Sequence, residues 1–161
     1  MTTTAIAPVM KTVRVRASPN KAFRFFTENL SKWWPSNFSI GTSPMRDAKL
    51  EPRVGGRWYE VGEDGSTCQW GEVLEWNPPE SVVLAWRIGA DWRYHPDLLT
   101  EVAVTFRPVG DIETEVTLEH RKLENYEEAG EQMVGIFSSP DGWSVALDRL
   151  AQAIEEANSA G

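Results

Sequence analysis

Two side chains of this sequence are candidates for proton transfer, His120 and Glu60. His120 ends the alternating segment 113–120, where it shares one face with Val116 and Leu118. These apolar neighbours predict an inward face, and an imidazole on a cavity wall can act as a general base or hold a ligand carbonyl. The structural alternative is a buried histidine that is hydrogen-bonded to backbone near the strand end.

Glu60 shares a face of its predicted strand with Trp58, while Tyr59 and Val61 occupy the other face. If Trp58 points into a cavity, Glu60 does so too, and it would form an acid–base pair with His120. If Tyr59 faces inward instead, Glu60 is solvated. Parity alone leaves both readings open.

The sequence contains eight tryptophans, and some of them are candidates for the cavity wall. Trp86 alternates with Arg87, and on the preceding segment Trp70, Glu72, Leu74 and Trp76 share one face. We expect six inward side chains to contact a ligand: Trp58, Trp70, Trp86, Phe106, Leu118 and Trp143. These rings either fill the interior and leave a scaffold, or line a pocket that their bulk makes small rather than large.

Other chemistries lack support. His95 and His120 do not have metal-ligand spacing, and Cys68 is the only cysteine, so we predict no metal site. Gly55-Gly56 is too short for a phosphate-binding loop, and no motif indicates a cofactor. No Gly-x-Ser-x-Gly elbow is present either.

Charge and length narrow the function classes further. The net charge of −8 disfavours nucleic acid and anionic membrane surfaces as partners. The first ten residues lack the charged and then apolar segments of a signal peptide. No apolar run approaches the ~20 residues of a membrane span, so we expect a cytoplasmic protein. The 161 residues suit one domain, residues 1–161, with its core over about 11–157.

The elements that must position these residues follow from periodicity. A strand is predicted over 11–16, and Ser18-Pro19 predicts the start of a helix that ends before Pro35. Short alternating segments between about 46 and 120 predict an antiparallel meander, in which the loop 92–95 is a candidate lid. Ser139-Pro140 predicts the start of a long helix, whose apolar stripe should pack on the sheet: Trp143, Ala146, Leu147, Leu150, Ile154 and Ala157.

Six ordered motifs resemble the START-like (SRPBCC, helix-grip) superfamily, in its branch of activator-of-heat-shock-chaperone-ATPase homologues. They are Ser18-Pro19-x-x-Ala22-Phe23, Trp33-Trp34-Pro35, Gly55-Gly56-Arg57-Trp58, the segment 71–86 with Pro78-Pro79, the strand 114–120, and Gly142-Trp143-x-x-x-Leu147-x-x-Leu150. The resemblance implies an α+β fold in which a curved antiparallel sheet grips a long C-terminal helix, with short helices after the first strand. It also implies a cavity between sheet and helix.

Three functions remain open. The leading hypothesis is a module that binds a small apolar or aromatic ligand. The second is an enzyme, cyclase- or hydrolase-like, in which His120 and Glu60 transfer protons on a carbonyl substrate. The third is a chaperone-ATPase-regulating module that acts through the acidic segment 124–131, and a homodimer is also left open.

Overall fold

The computed structural model describes residues 6–35, 38, 40–41 and 43–160. Seven strands form one sheet: β1 (Val9–Val15), β2 (Met45–Leu50), β3 (Arg57–Gly62), β4 (Thr67–Asn77), β5 (Ser81–Trp86), β6 (Thr100–Val109) and β7 (Glu113–Arg121). The helices are α1 (Pro19–Glu28), α2 (Leu30–Trp33), α3 (Gly130–Ser138) and α4 (Trp143–Ala160), with a 3-10 helix over Leu123–Ala129. This is the α+β helix-grip arrangement that the resemblance implies.

The sheet is antiparallel throughout, in the order β1-β7-β6-β5-β4-β3-β2. Consecutive strands pair as a meander from β2 to β7, and β1 closes the far edge against β7. The curled sheet holds α4, and the two short helices α1 and α2 follow the first strand as expected.

Two bulges in β4 overturn the predicted alternation of Trp70, Glu72, Leu74 and Trp76. The register with β3 shifts beside Trp70, and the register with β5 shifts between Val73 and Glu75. Each extra residue moves the following side chains to the opposite face. Trp70 and Val73 are therefore buried, and Trp76 packs edge-on against Phe23 with ring centroids 5.1 Å apart.

Glu72 consequently faces outward rather than sharing the face of Trp70. Its Oε1 accepts a hydrogen bond of 2.6 Å from Nε of Arg87. Leu74 is the half-buried extra residue of the second bulge.

The predicted start of α1 is confirmed. Ser18 is the N-cap, and its hydroxyl accepts a hydrogen bond from the backbone N–H of Lys21 at 3.3 Å. Pro19 occupies the first turn, where its missing N–H leaves no donor unpaired. The helix then presents Phe23 and Phe26 to the core.

The last helix begins later than the sequence predicts. The N–H of Ser139 donates to the carbonyl of Ile136, and the carbonyl of Ser139 accepts from the N–H of Gly142. Ser139 therefore ends α3 instead of starting α4. The apolar stripe of α4 is buried from Trp143 to Ile154, whereas Ala157 is exposed, contrary to the prediction.

Tryptophans pack together in the part of the interior beside α2. Trp34 stacks on Trp70 with centroids 4.6 Å apart and meets Trp33 and Trp58 edge-on at 5.7 and 5.6 Å. All four are at most 2% exposed. A cavity beside Trp86 and Trp143 is described below. Among the described residues, no helix combines the length and the hydrophobicity that crossing a bilayer requires.

Candidate functional site

A cavity of about 540 Å³ lies where the first turn of α4 meets the ends of α3 and β5. Its lining residues come from five separate segments: Phe38, Ile40, Gly41, Trp86, Asp91, Trp92, Arg93, Ile136, Phe137, Asp141, Gly142 and Trp143. This volume falls within the range of small-molecule pockets.

Three aromatic rings form the inner wall. Trp86 and Trp143 meet at an interplanar angle of 74° with centroids 5.6 Å apart. Phe137 stacks on Trp143 at 6.2 Å. All three side chains are nearly fully buried, whereas the charged residues Asp91 and Arg93 are exposed at the mouth. The interior of the cavity is therefore apolar, and charge is confined to its opening.

Close packing explains why Gly142 precedes the wall residue Trp143. A Cβ at position 142 would collide with the carbonyl oxygens of Phe137 and Ile136. Only glycine lets the chain turn this tightly from α3 into α4. The two helices thus present Phe137 and Trp143 to the same cavity.

His120 lies directly behind the aromatic wall and is fully buried. Its Nδ1 is 3.1 Å from the indole Nε1 of Trp143, and its Nε2 is 2.8 Å from the hydroxyl of Thr100. The Thr100 hydroxyl in turn donates to the carbonyl of Trp86 at 2.7 Å. Burial lowers the pKa of His120 to about 3.

Glu60 is also buried, only 1% exposed, which selects the inward reading for Trp58 and Glu60. Its Oε1 accepts from the backbone N–H of Ile40 at 2.7 Å and from the indole of Trp70 at 3.3 Å. Ile40 belongs to the cavity wall. Glu60 and His120 are therefore each bonded to a different tryptophan, Glu60 to Trp70 and His120 to Trp143.

The six predicted ligand-contact residues divide into three groups. Trp86 and Trp143 line the cavity. Trp58 and Trp70 pack behind them, with the Trp58 ring 5.5 Å from that of Trp86. Phe106 and Leu118 are buried elsewhere in the core, where Phe106 meets Phe23 and Phe26 of α1 at 5.2 and 5.7 Å.

Sequence reasoning missed the contributions of α3 and of the segment after α2. Ile136 and Phe137 line the cavity, as do Phe38 and Ile40. The apolar residues Met133, Val134, Ile136 and Phe137 were a usable signal for α3. No such signal marks Phe38 and Ile40, because tertiary contacts place them.

The predicted lid loop reaches the mouth of the cavity. Trp92 lines it, is 42% exposed, and has a left-handed backbone with φ of 60°. Asp91 holds this turn, since its carboxylate oxygens lie 2.9 and 3.0 Å from Nε2 of His95. The hydrogen bond with His95 is the main reason why the pKa of Asp91 is lowered.

Two buried indole groups lie at or near the wall. The N–H of Trp86, a wall residue, lies beside the hydroxyl of Tyr126, whereas that of Trp34, behind the wall, is buried without a hydrogen-bond partner among the described residues. Within the same part of the chain, no group of three histidine, cysteine or acidic side chains could hold a metal ion.

The acidic segment 124–131 lies on the surface. Tyr126 anchors it, since its hydroxyl donates to the carbonyl of Ile88 at 2.7 Å, while Glu127, Glu128 and Glu131 are exposed. Its proposed role in contacting a chaperone stays a prediction.

Comparisons with known proteins agree with this architecture. A family model described as Activator of Hsp90 ATPase homolog 1-like protein matches residues 16–155. The anthrahydroquino-gamma-pyrone synthase Txn09, complexed with SUM, is 34% identical, with 92% of this chain and 97% of that chain covered and a TM-score of 0.64. The self-sacrificing resistance protein CalC from Micromonospora echinospora is 29% identical over 94% of this chain and 96% of that chain, with a TM-score of 0.66.

A third similar structure, protein NE0264 from Nitrosomonas europaea, is 16% identical and has a TM-score of 0.67, with 95% of this chain and 97% of that chain covered. At this identity the likeness concerns the fold alone. No curated protein matches the sequence significantly.

Proposed function

We propose that this chain, which belongs to the Activator of Hsp90 ATPase homolog 1-like family, binds a small aromatic or apolar molecule. The binding site is the cavity at the start of α4. The family is a branch of the START-like, helix-grip superfamily. The observation that carries the proposal is the cavity of about 540 Å³ with its wall of buried aromatic rings.

The wall chemistry defines the ligand class. Trp86, Phe137 and Trp143 offer ring faces and edges, which favour aromatic partners. A charged group on the ligand would lose its hydration deep in this cavity, and such a loss is costly unless the charge is paired. The charged lining residues Asp91, Arg93 and Asp141 are all exposed to solvent. The ligand is therefore an uncharged ring system, with any polar substituent directed outward.

A fluorescent aromatic probe tests the proposal. The neutral compound 1-aminoanthracene should brighten and shift to the blue when it enters the cavity. Ile136→Trp places a larger side chain on the cavity wall and should weaken binding at least tenfold. Gly135→Trp is the matched control, because position 135 is exposed with nothing within 4 Å of an added Cβ, and it should bind like the wild type.

Native mass spectrometry of gently purified protein adds a second measurement, since a resident ligand should appear as an added mass. If no probe or resident molecule binds, or if both variants bind equally well, the cavity is not the binding site.

A second candidate function is turnover of a carbonyl ligand in the same cavity by proton transfer. The support is that Txn09, which is 34% identical to this chain, is a synthase. In this candidate the sequence analysis assigns the acid–base roles to Glu60 and His120, but both ring nitrogens of His120 are held in hydrogen bonds, so the proton transfer would depend on the buried Glu60. Incubating wild-type protein with a bound carbonyl compound and following its mass would test the idea. A ligand that binds but is recovered unchanged contradicts it.

A further inference from the structure

The ring of His120 sits between two tryptophans of the cavity wall without lining the cavity itself. Its centroid is 6.1 Å from that of Trp86 and 5.8 Å from that of Trp143. Phe137, a third wall residue, lies 4.4 Å away on another side. His120 is thus a shared support for all three rings that a ligand would touch.

The hydrogen bonds around His120 fix its tautomer. An indole N–H can only donate, so the Nδ1 atom that faces Trp143 must carry a lone pair. The proton of the neutral ring is then on Nε2, and it is donated to the hydroxyl oxygen of Thr100. Thr100 has one hydrogen, which it donates to the carbonyl of Trp86. The indole of Trp143 thus fixes the direction of each hydrogen bond in the series from Trp143 through His120 and Thr100 to the carbonyl of Trp86.

This order leaves no free nitrogen for proton transfer. A second proton on Nδ1 would point at the N–H of Trp143, and burial alone disfavours the charged ring. Among the described residues, the hydrogen-bond and ring contacts of the imidazole come from Trp86, Thr100, Phe137 and Trp143, none of which is charged. Tyr126, which lies beside Thr100 and Trp86, is also uncharged, because burial raises the pKa of its hydroxyl. Nothing around the imidazole would stabilise an imidazolium.

We infer that His120 is a positioning residue, which stays neutral with its proton on Nε2 and sets the spacing and orientation of Trp86 and Trp143 in the cavity wall. It ties β7 to the first turn of α4 through Trp143, and to β5 through Thr100 and the Trp86 carbonyl. This role deepens the proposed ligand binding and rests on it for its effect on affinity.

Nuclear magnetic resonance of the wild-type protein tests the protonation state without any ligand. Two-bond ¹⁵N–¹H spectra should show a protonated Nε2 and an unprotonated Nδ1 for His120, unchanged between pH 8 and pH 5. The exposed ring of His95, the other of the two histidines, is the internal reference. A proton on Nδ1, or a His120 ring that becomes charged in this range, overturns the inference.

Affinity for 1-aminoanthracene tests the positioning role. His120→Leu removes both hydrogen bonds and should weaken binding about fivefold or more, the value of one typical hydrogen bond. His120→Asn can still accept from Trp143 and should recover part of the loss. Trp143→Phe removes the donor, and the double variant His120→Leu/Trp143→Phe should lose less affinity than the sum of the two single losses, because both single variants break the His120–Trp143 bond.

The possible outcomes distinguish a failure of the proposed ligand binding from a failure of the positioning role of His120. If the wild type does not bind the probe, the proposed function fails while the spectra still decide the tautomer. If the wild type binds but His120→Leu binds equally well, or if the two losses add in the double variant, the positioning role is wrong.

Discussion

Replacing Thr100 by valine should destabilise the fold more than the same change at another buried threonine. Thr100 is fully buried, and its hydroxyl serves both Nε2 of His120 and the carbonyl of Trp86. Thr114 is equally buried but donates to one group, the carbonyl of Ala17, at 2.7 Å. Valine keeps the shape of threonine and removes only the hydroxyl.

The magnitude follows from the groups that lose their partner. A buried polar group left unpaired costs ~1–3 kcal/mol. At ~1.5 kcal/mol for each stranded group, Thr100→Val should cost about 3 kcal/mol and Thr114→Val about 1.5. His120 cannot escape by moving its proton to Nδ1, since that nitrogen faces the N–H of Trp143.

Urea denaturation measures the difference. A typical domain has ~5–15 kcal/mol of stability, so both variants should fold. Thermal midpoints should fall by roughly 6–12 °C for Thr100→Val and 3–6 °C for Thr114→Val, at ~2–4 °C per kcal/mol. Equal losses in the two variants would refute the reasoning, because they would mean that the hydroxyl of Thr100 does not serve two partners.

Two further predictions concern a bulge and a turn. Gly71→Ala should lower the free energy of unfolding by ~2 kcal/mol or more in urea denaturation, because an added Cβ would collide with the carbonyl of Ala85. The control Gly135→Ala in α3, where there is open space, should stabilise by ~0.5–1 kcal/mol. A Gly71→Ala variant as stable as the wild type would contradict the close approach. Asp91→Asn should flatten the acid side of the stability profile. The pKa of Asp91 is lowered by His95, so its contribution is present above the unfolded-state pKa of ~3.9 and is lost as the pH falls through the lower folded-state value. Thermal midpoints of wild type and variant should therefore differ at pH 6 and converge as the pH falls below the folded-state pKa of Asp91, and a gap that stays constant throughout acid titration would show that charge is not its source.

The sequence determined the parts of this protein that depend on local periodicity and capping. The start of α1 at Ser18-Pro19, the apolar stripe of α4 and the strand positions are all written in short-range patterns, because a side chain's face depends on the period of its own element. The inward direction of His120 followed from the same rule.

Tertiary structure decided what local patterns do not encode. The bulges in β4 depend on which residues of β3 and β5 lie opposite, so the turning of Glu72 away from Trp70 appeared only with the assembled sheet. The late start of α4 arose from competition, since Ser139 was used to end α3. The Ser139-Pro140 pair, which resembles a helix start in the sequence, therefore follows the end of α3 in the structure.

The cavity is the clearest case of a feature that only the folded chain defines. Its wall joins residues as far apart in sequence as Phe38 and Trp143. Trp34 packs behind this wall against Trp70, whereas Trp86 and Trp143 border the cavity. Composition predicts that large rings are buried, since burial follows from hydrophobicity. Whether a ring fills space or borders it depends on the distances between elements, and those distances are set only when sheet and helices pack together.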